Sequence, residues 1–214
     1  MQKGIQTELM QSVLDNFHLT IPVSPEVLTD LASNFSIENY RSGEIIEGPD
    51  TKKLRWYFVE KGLVRAYFYN EDKQVTVMFF AEGSCLIVFE KYYFGESSNV
   101  YIEAIEPTQI YALDKEDGDR LRNKYLGVAE LHRRMLTHYL MSAQEHLDLL
   151  KYESAETRYE KLMERMSDVL LRIPSIYVAS FLGLTPETVS RVRSRLAKRG
   201  ENEIGLTNTE RPNW

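Results

Sequence analysis

Between Gly43 and Leu113 the sequence repeats one texture: short runs rich in Val, Ile, Tyr and Phe, each ended by Gly, Pro or a polar turn. The runs are GEIIEGP, LRWYFVEKG, LVRAYFYNEDKQ, VTVMFFAEG, VYIEAIEP and TQIYALD. Short strands at this spacing predict an antiparallel sandwich or barrel. Val75, Val77 and Phe79 alternate with Thr76, Met78 and Phe80, so both faces are fairly apolar. That suits the inside of a small jelly roll. No internal repeat or low-complexity segment interrupts it.

The flanks are helical in pattern. An opening stretch runs to about Asn34, and Ser24-Pro25-Glu26 marks a helix start, with a capping serine, a first-turn proline and an acid. From Asp114, read as a helix cap, to about Glu153 the chain has almost no helix breaker after Gly127. Two apolar stripes run along this stretch. One is Val128, Leu131, Met135, His138, Ser142 and Leu149; the other is Leu136, Leu140, Ala143, Leu147 and Leu150. A surface helix on one core needs only one stripe. Two fit a helix that packs on its own domain and pairs with a second copy, or one buried within a single domain. Ser154 caps a further helix to about Met166, and Arg172-Ile173-Pro174-Ser175 breaks and restarts the chain. The expected architecture is α+β: an antiparallel β-roll with flanking helices over residues 1–113, a long dimerisation helix over 114–153, and a helical head over 154–214.

The 214 residues are 43% hydrophobic and 27% charged, as in ordinary globular proteins. No stretch approaches ~18 uninterrupted apolar residues, so no membrane segment is expected. The first residues carry Glu8 and Asp15 and no apolar core of a secretory signal, which predicts a cytoplasmic location. A single cysteine, Cys85, excludes an internal disulfide framework or a four-cysteine metal site within one chain. Net charge is −6, but unevenly distributed: residues 1–174 carry 20 basic against 28 acidic side chains, and residues 175–199 carry five against one. An acidic body with a small basic head predicts a local footprint on phosphate.

The head contains IPSIYVASFLGLTPETVSRVRSRLAKRG. Its first helix, Ser175 to Leu182, ends at Gly183, which can take the positive φ of a sharp turn. Leu184 supplies a buried contact, Thr185 caps, Pro186 opens the next helix and Glu187 sits in its first turn. Ala179 lets the two helices approach closely. This spacing predicts a helix-turn-helix. In the second helix Val189, Val192 and Leu196 form a narrow inner stripe, leaving Glu187, Ser190, Arg191, Ser194, Arg195 and Lys198 outside. Base readout is assigned to Glu187, Ser190 and Arg191, since arginine suits the two acceptors of guanine and glutamate accepts from cytosine. Thr188, Arg195, Lys198 and Arg199 are assigned to phosphate. The alternative is a plain helical hairpin with a solvated basic face.

Over nearly its whole length the chain resembles the Crp/Fnr transcription regulators: a cyclic-nucleotide-binding-like β-roll, a dimerisation helix and a winged-helix-like head. Glu187-Thr188-Val189-Ser190-Arg191 is similar to the family's recognition core, in which a glutamate and an arginine read a GTGA-like half-site. The serine resembles the Fnr-like branch. Pro186 stands where the catabolite activator branch has an arginine, and the short tail after Gly200 leaves little room for a full wing. The resemblance implies a homodimer on a palindromic double-stranded DNA operator, with RNA polymerase as a protein partner.

The same resemblance places a Gly-Glu pair and an arginine where cyclic AMP binds. Here Ile87-Val88 and Ser98 occupy those places, and Gly95-Glu96 is read as a turn. No arginine lies between Arg65 and Arg120, and a phosphate buried in a roll needs a cation or a nest of amides. Lys73, Lys91 and Lys115 remain. Cyclic AMP binding is therefore not expected, and an unassigned small-molecule effector stays open. Cys85 reads as core, and His132, His138 and His146 lack metal-ligand spacing. Tyr92, Tyr93 and Phe94 either pack or line a pocket for an aromatic ligand. No cofactor is evident, and no nucleophile-base pair or phosphate loop points to catalysis. The competing function is a cyclic-nucleotide or other small-ligand signalling module acting through protein contacts.

Overall fold

A computed structural model of the chain describes residues 24–207. The helical stretch expected ahead of Ser24 lies outside them. Ser24 caps α1 (Pro25–Asn34), its hydroxyl accepting the Val27 N–H at 3.5 Å. Eight strands follow: β1 (Ser36–Tyr40), β2 (Ile45–Glu47), β3 (Arg55–Lys61), β4 (Val64–Asn70), β5 (Lys73–Phe80), β6 (Cys85–Leu86), β7 (Tyr101–Ala104) and β8 (Thr108–Asp114). A π-helical turn, Glu90–Phe94, stands between β6 and β7. The strands form two antiparallel sheets, ordered β1-β8-β3-β6 and β2-β7-β4-β5. This is the jelly-roll-like arrangement that the punctuated apolar runs imply.

Strand β3 explains why those runs lack a clean polar alternation. Tyr57 and Val59 enter the space between the sheets with Ile110 and Ala112 of β8 and Val64, Ala66, Ile102 and Ala104 of the opposite sheet. Trp56 and Phe58 face outward with Tyr111 and Leu113, and helices cover them. Both faces are buried, so four successive large side chains, Trp56 to Val59, leave water. Each contributes about 1.5–3 kcal/mol relative to exposure.

The covering helices are α1, α2 (Lys115–Lys124) and the start of α3 (Leu126–Tyr152). Val128, Leu131 and Met135, the first half of one predicted stripe, pack on Trp56 and Phe58. Further along α3, Leu140 and Leu147 of the other stripe are exposed, together with Tyr139 and Met141. Asp114 stands at the N-cap position of α2 but makes no capping bond; its carboxylate accepts Arg55 Nε at 2.7 Å instead. A guanidinium shared with Glu38 outcompetes the backbone N–H for it.

The chain divides into two compact units between Gln144 and Glu145. The second contains the end of α3, then α4 (Ala155–Leu170), α5 (Ser175–Leu182) and α6 (Pro186–Thr207). Ser154 caps α4 as expected, its hydroxyl accepting the Thr157 N–H at 3.2 Å. The helix does not stop at Met166: that residue is kinked, with φ −137° and ψ 35°, and the helix continues to buried Leu170. No Gly or Pro occurs between Met166 and Pro174, so burial of Leu170 carries the helix on. Helix α6 runs to Thr207, past Gly200 and into the tail that leaves little room for a full wing.

Candidate nucleic-acid interface

The turn between α5 and α6 is built as its residue types demand. Gly183 adopts φ +63°, and the Leu184 N–H closes onto the Ala179 carbonyl at 2.9 Å. This joins the last carbonyls of α5 to the turn. Leu184 is half-buried, less than expected. The Thr185 hydroxyl accepts the Thr188 N–H at 3.2 Å and opens α6. Its own backbone N–H and the Thr185 hydroxyl, with a smaller contribution from Arg191, hold the Glu187 carboxyl below its usual range. Val178, Ala179 and Leu182 of α5 are buried with Val189 and Val192 of α6, while Leu196 is only half-buried.

Glu187, Ser190 and Arg191 are exposed on one side of α6, and Thr188 is half-buried beside them. Arg191 Nη2 donates to the Thr188 hydroxyl at 3.2 Å, with no carboxylate partner among the described residues. Arg195, Lys198 and Arg199 are exposed further along. Two of these already have counter-charges on α4: Arg195 pairs with Glu156, and Arg199 with Glu160 at 3.5 Å. Such exposed pairs are weak, so a phosphate can displace the carboxylates at a modest cost.

Three residues that the sequence reading did not assign to this surface hold it in place. Arg193 points inward to Tyr159 and Ser175. Arg158 donates to three backbone carbonyls, Leu150, Glu153 and Leu182, at 2.7, 3.0 and 2.9 Å. It thereby satisfies the ends of α3 and α5 together. His146 stacks on Phe181 at 4.0 Å, and its Nε2–H donates to the Phe181 carbonyl at 2.7 Å. Only Arg193 had a sequence signal: it lies four residues after Val189, on the inner side of the helix.

In the roll, Ile87 and Val88 are buried apolar side chains, where the resemblance calls for a Gly-Glu pair. Ser98, in place of the arginine, is buried and donates to Glu90 at 3.3 Å. Gly95 ends the π-helical turn at φ +66°. Lys91 is turned inward, its ammonium 3.0 Å from the Glu47 carboxylate and 2.8 Å from the Gly48 carbonyl. Burial pushes the Glu47 carboxyl above its usual range, and its bonds to Lys91 and Tyr57 only partly offset that. Lys91 is thus already neutralised by the chain itself.

Tyr92 is buried in the outer core, while Phe94 is exposed. Tyr93 is hydrogen-bonded to His132 Nε2 at 2.5 Å. His132 stacks on Trp56 at 4.7 Å, and burial together with Arg122 lowers its pKa to about 4. Burial raises the Cys85 thiol, which leaves little thiolate for redox chemistry. Among the described residues no group of three or more His, Cys, Asp or Glu is placed to hold a metal, and no helix is long and apolar enough to cross a membrane.

Comparison with known proteins places this geometry. Residues 37–125 match the family model for the cyclic nucleotide-binding domain. The Cyclic AMP receptor protein of Thermus thermophilus is 28% identical over 188 residues, which cover 86% of this chain and 87% of that protein. The structure of FixK2 from Bradyrhizobium japonicum superposes with a TM-score of 0.70 at 26% identity, covering 78% of this chain and 86% of that one. A protein from Eubacterium rectale placed in the Crp/Fnr family gives a TM-score of 0.65 at 15% identity, covering 83% and 85%, a likeness of fold. Residues 37–125 are therefore similar to the cyclic nucleotide-binding domain, and over most of its length the chain is similar in sequence to the Cyclic AMP receptor protein of Thermus thermophilus and in sequence and fold to FixK2.

Proposed function

We propose that this chain is a sequence-specific DNA-binding transcription regulator that works in the cytoplasm as a homodimer on a palindromic operator and does not respond to cyclic AMP. The observation that carries the reading is α6, with Glu187, Ser190 and Arg191 exposed on one side and Val189 and Val192 buried on the other. Glu187, Ser190 and Arg191 read base edges; Thr188, Arg195, Lys198 and Arg199 hold phosphates. The chain serves as roll (1–113), helical dimerisation segment (114–153, which extended Tyr125 breaks into α2 and α3 rather than one long helix) and DNA-binding head (154–214). Exposed Leu140 and Leu147 on α3 support pairing with a second copy, which places two α6 helices in successive major grooves. RNA polymerase is the protein partner this reading implies. Catalysis is no part of it.

The roll supports the second half of the reading. A cyclic phosphate brings a negative charge, and the lysine nearest the binding segment, Lys91, is paired with Glu47. Another small effector can still act there. Calorimetry with cyclic AMP and cyclic GMP is expected to give no heat of binding; saturable heat overturns this half. Mobility shifts on the protein's preferred duplex test the first half. Arg191→Ala and Glu187→Ala are expected to relax preference at their own base pairs by about 1–3 kcal/mol each. Unchanged sequence preference in both variants contradicts the readout assignment.

A further inference from the structure

Helix α6 turns one of its arginines away from the exposed side. Arg193 follows buried Val192, and its Nε donates to the Tyr159 hydroxyl of α4 at 2.6 Å. Its Nη1 donates to the Ser175 hydroxyl, at the start of α5, at 3.1 Å. The remaining Nη2 is shielded from solvent with no acceptor, and no carboxylate pairs with the guanidinium among the described residues. For stability alone this is a poor choice. A leucine would fill the position without stranding a buried N–H, and only the Tyr159 ring, 5.6 Å from the guanidinium carbon, offsets part of the cation's charge.

What the guanidinium supplies is direction. Val189 and Val192 fix which side of α6 faces inward, but apolar contacts are non-directional and tolerate small rotations and slides. A planar fork held by two acceptors on two other helices does not. Arg191 lies two residues away, about 200° around the helix, so an anchor at Arg193 sets where Arg191 points.

We propose that Arg193 is a positioning residue for base readout: with Tyr159 and Ser175 it sets the rotation of α6, so that Glu187, Ser190 and Arg191 meet base edges together. The inference rests on the DNA-binding reading above. It assigns Arg193 no contact with DNA, in contrast to the other basic residues of α6.

The test uses the full chain as wild type, Arg193→Leu and Tyr159→Phe. Each is titrated over a range of salt against two duplexes: the site wild type enriches from a random library, and a scrambled duplex. Each protein is also melted. Arg193→Leu is expected to lose on the order of tenfold in affinity for the enriched site, the worth of a charged hydrogen bond. Scrambled-duplex affinity, salt slope and melting point hold, because phosphate contacts and fold are kept. Tyr159→Phe, which removes one acceptor, loses less in the same direction. Equal loss on both duplexes, or a wild-type ratio of affinities in both variants, overturns the positioning role. A salt slope reduced by about one makes Arg193 a phosphate contact and also overturns it. If wild type enriches no duplex, the DNA-binding reading itself fails, and this role with it.

Discussion

Replacing Gly183 by alanine isolates the backbone cost of the turn that presents α6. The residue sits at φ +63° and ψ 37°, where an L side chain costs roughly 1–2 kcal/mol. An added Cβ meets Leu150 Cδ2 at 3.4 Å and Arg158 Nη1 at 3.5 Å, ordinary van der Waals distances, so no clash adds to that cost. Alanine also restricts the unfolded chain, which returns about 0.4–1 kcal/mol. The net loss is about 1 kcal/mol, and for a unit of this size the melting point falls by about 4–8 °C per kcal/mol. Calorimetry of the full chain reads it, with Gly183→Asn as a control expected to lose less, since asparagine enters the left-handed region more easily. An unchanged or higher melting point refutes the left-handed turn. A loss above about 3 kcal/mol refutes the claim that the cost is backbone alone.

Glu156→Gln frees Arg195 from its surface partner and removes an acid near the phosphate path, so DNA affinity is expected to rise by about two- to fivefold in anisotropy titrations; weaker binding contradicts this. Lys91→Met strands the Glu47 carboxylate in the roll and is expected to cost about 3–5 kcal/mol in urea unfolding. Because the Glu47 carboxyl is already raised, that loss shrinks as pH falls and the carboxyl takes up a proton; a loss independent of pH contradicts the pairing. His132, lowered to about 4 from an ordinary 6.5, contributes stability present above pH 6.5 that is lost as pH falls toward 4. The loss reaches at most about 3 kcal/mol, and His132→Gln is expected to flatten that slope. An imidazole that titrates near 6.5 by NMR removes the basis for it.

The parts of the fold that show in the sequence are those where local chemistry and long-range packing agree. Trp56 to Val59 reads as a strand because burial on both faces leaves an unbroken apolar run. Gly183, Thr185 and Pro186 read as a turn because each satisfies a separate backbone demand. What stays hidden depends on pairs far apart in the chain. Lys91 and Glu47 meet only because a register shift in β2, between Ile45 and Glu47, turns the carboxylate into the roll. Asp114 has the chemistry of a cap, but Arg55 takes its carboxylate. Arg193 sits among Arg191, Arg195, Lys198 and Arg199, which are exposed, and only Tyr159 and Ser175, 34 and 18 residues earlier, reveal its inward role. Arg158 is a lone arginine in sequence and a three-carbonyl clamp in space.

Selection from a random duplex library with the full-length protein tests the central claim most directly. The expected product is an inverted repeat whose half-sites lie about one helical turn apart, with enrichment lost in the Arg191→Ala, Glu187→Ala double variant. Recovery of no sequence above background, or of the same sequences by the double variant, contradicts readout by α6.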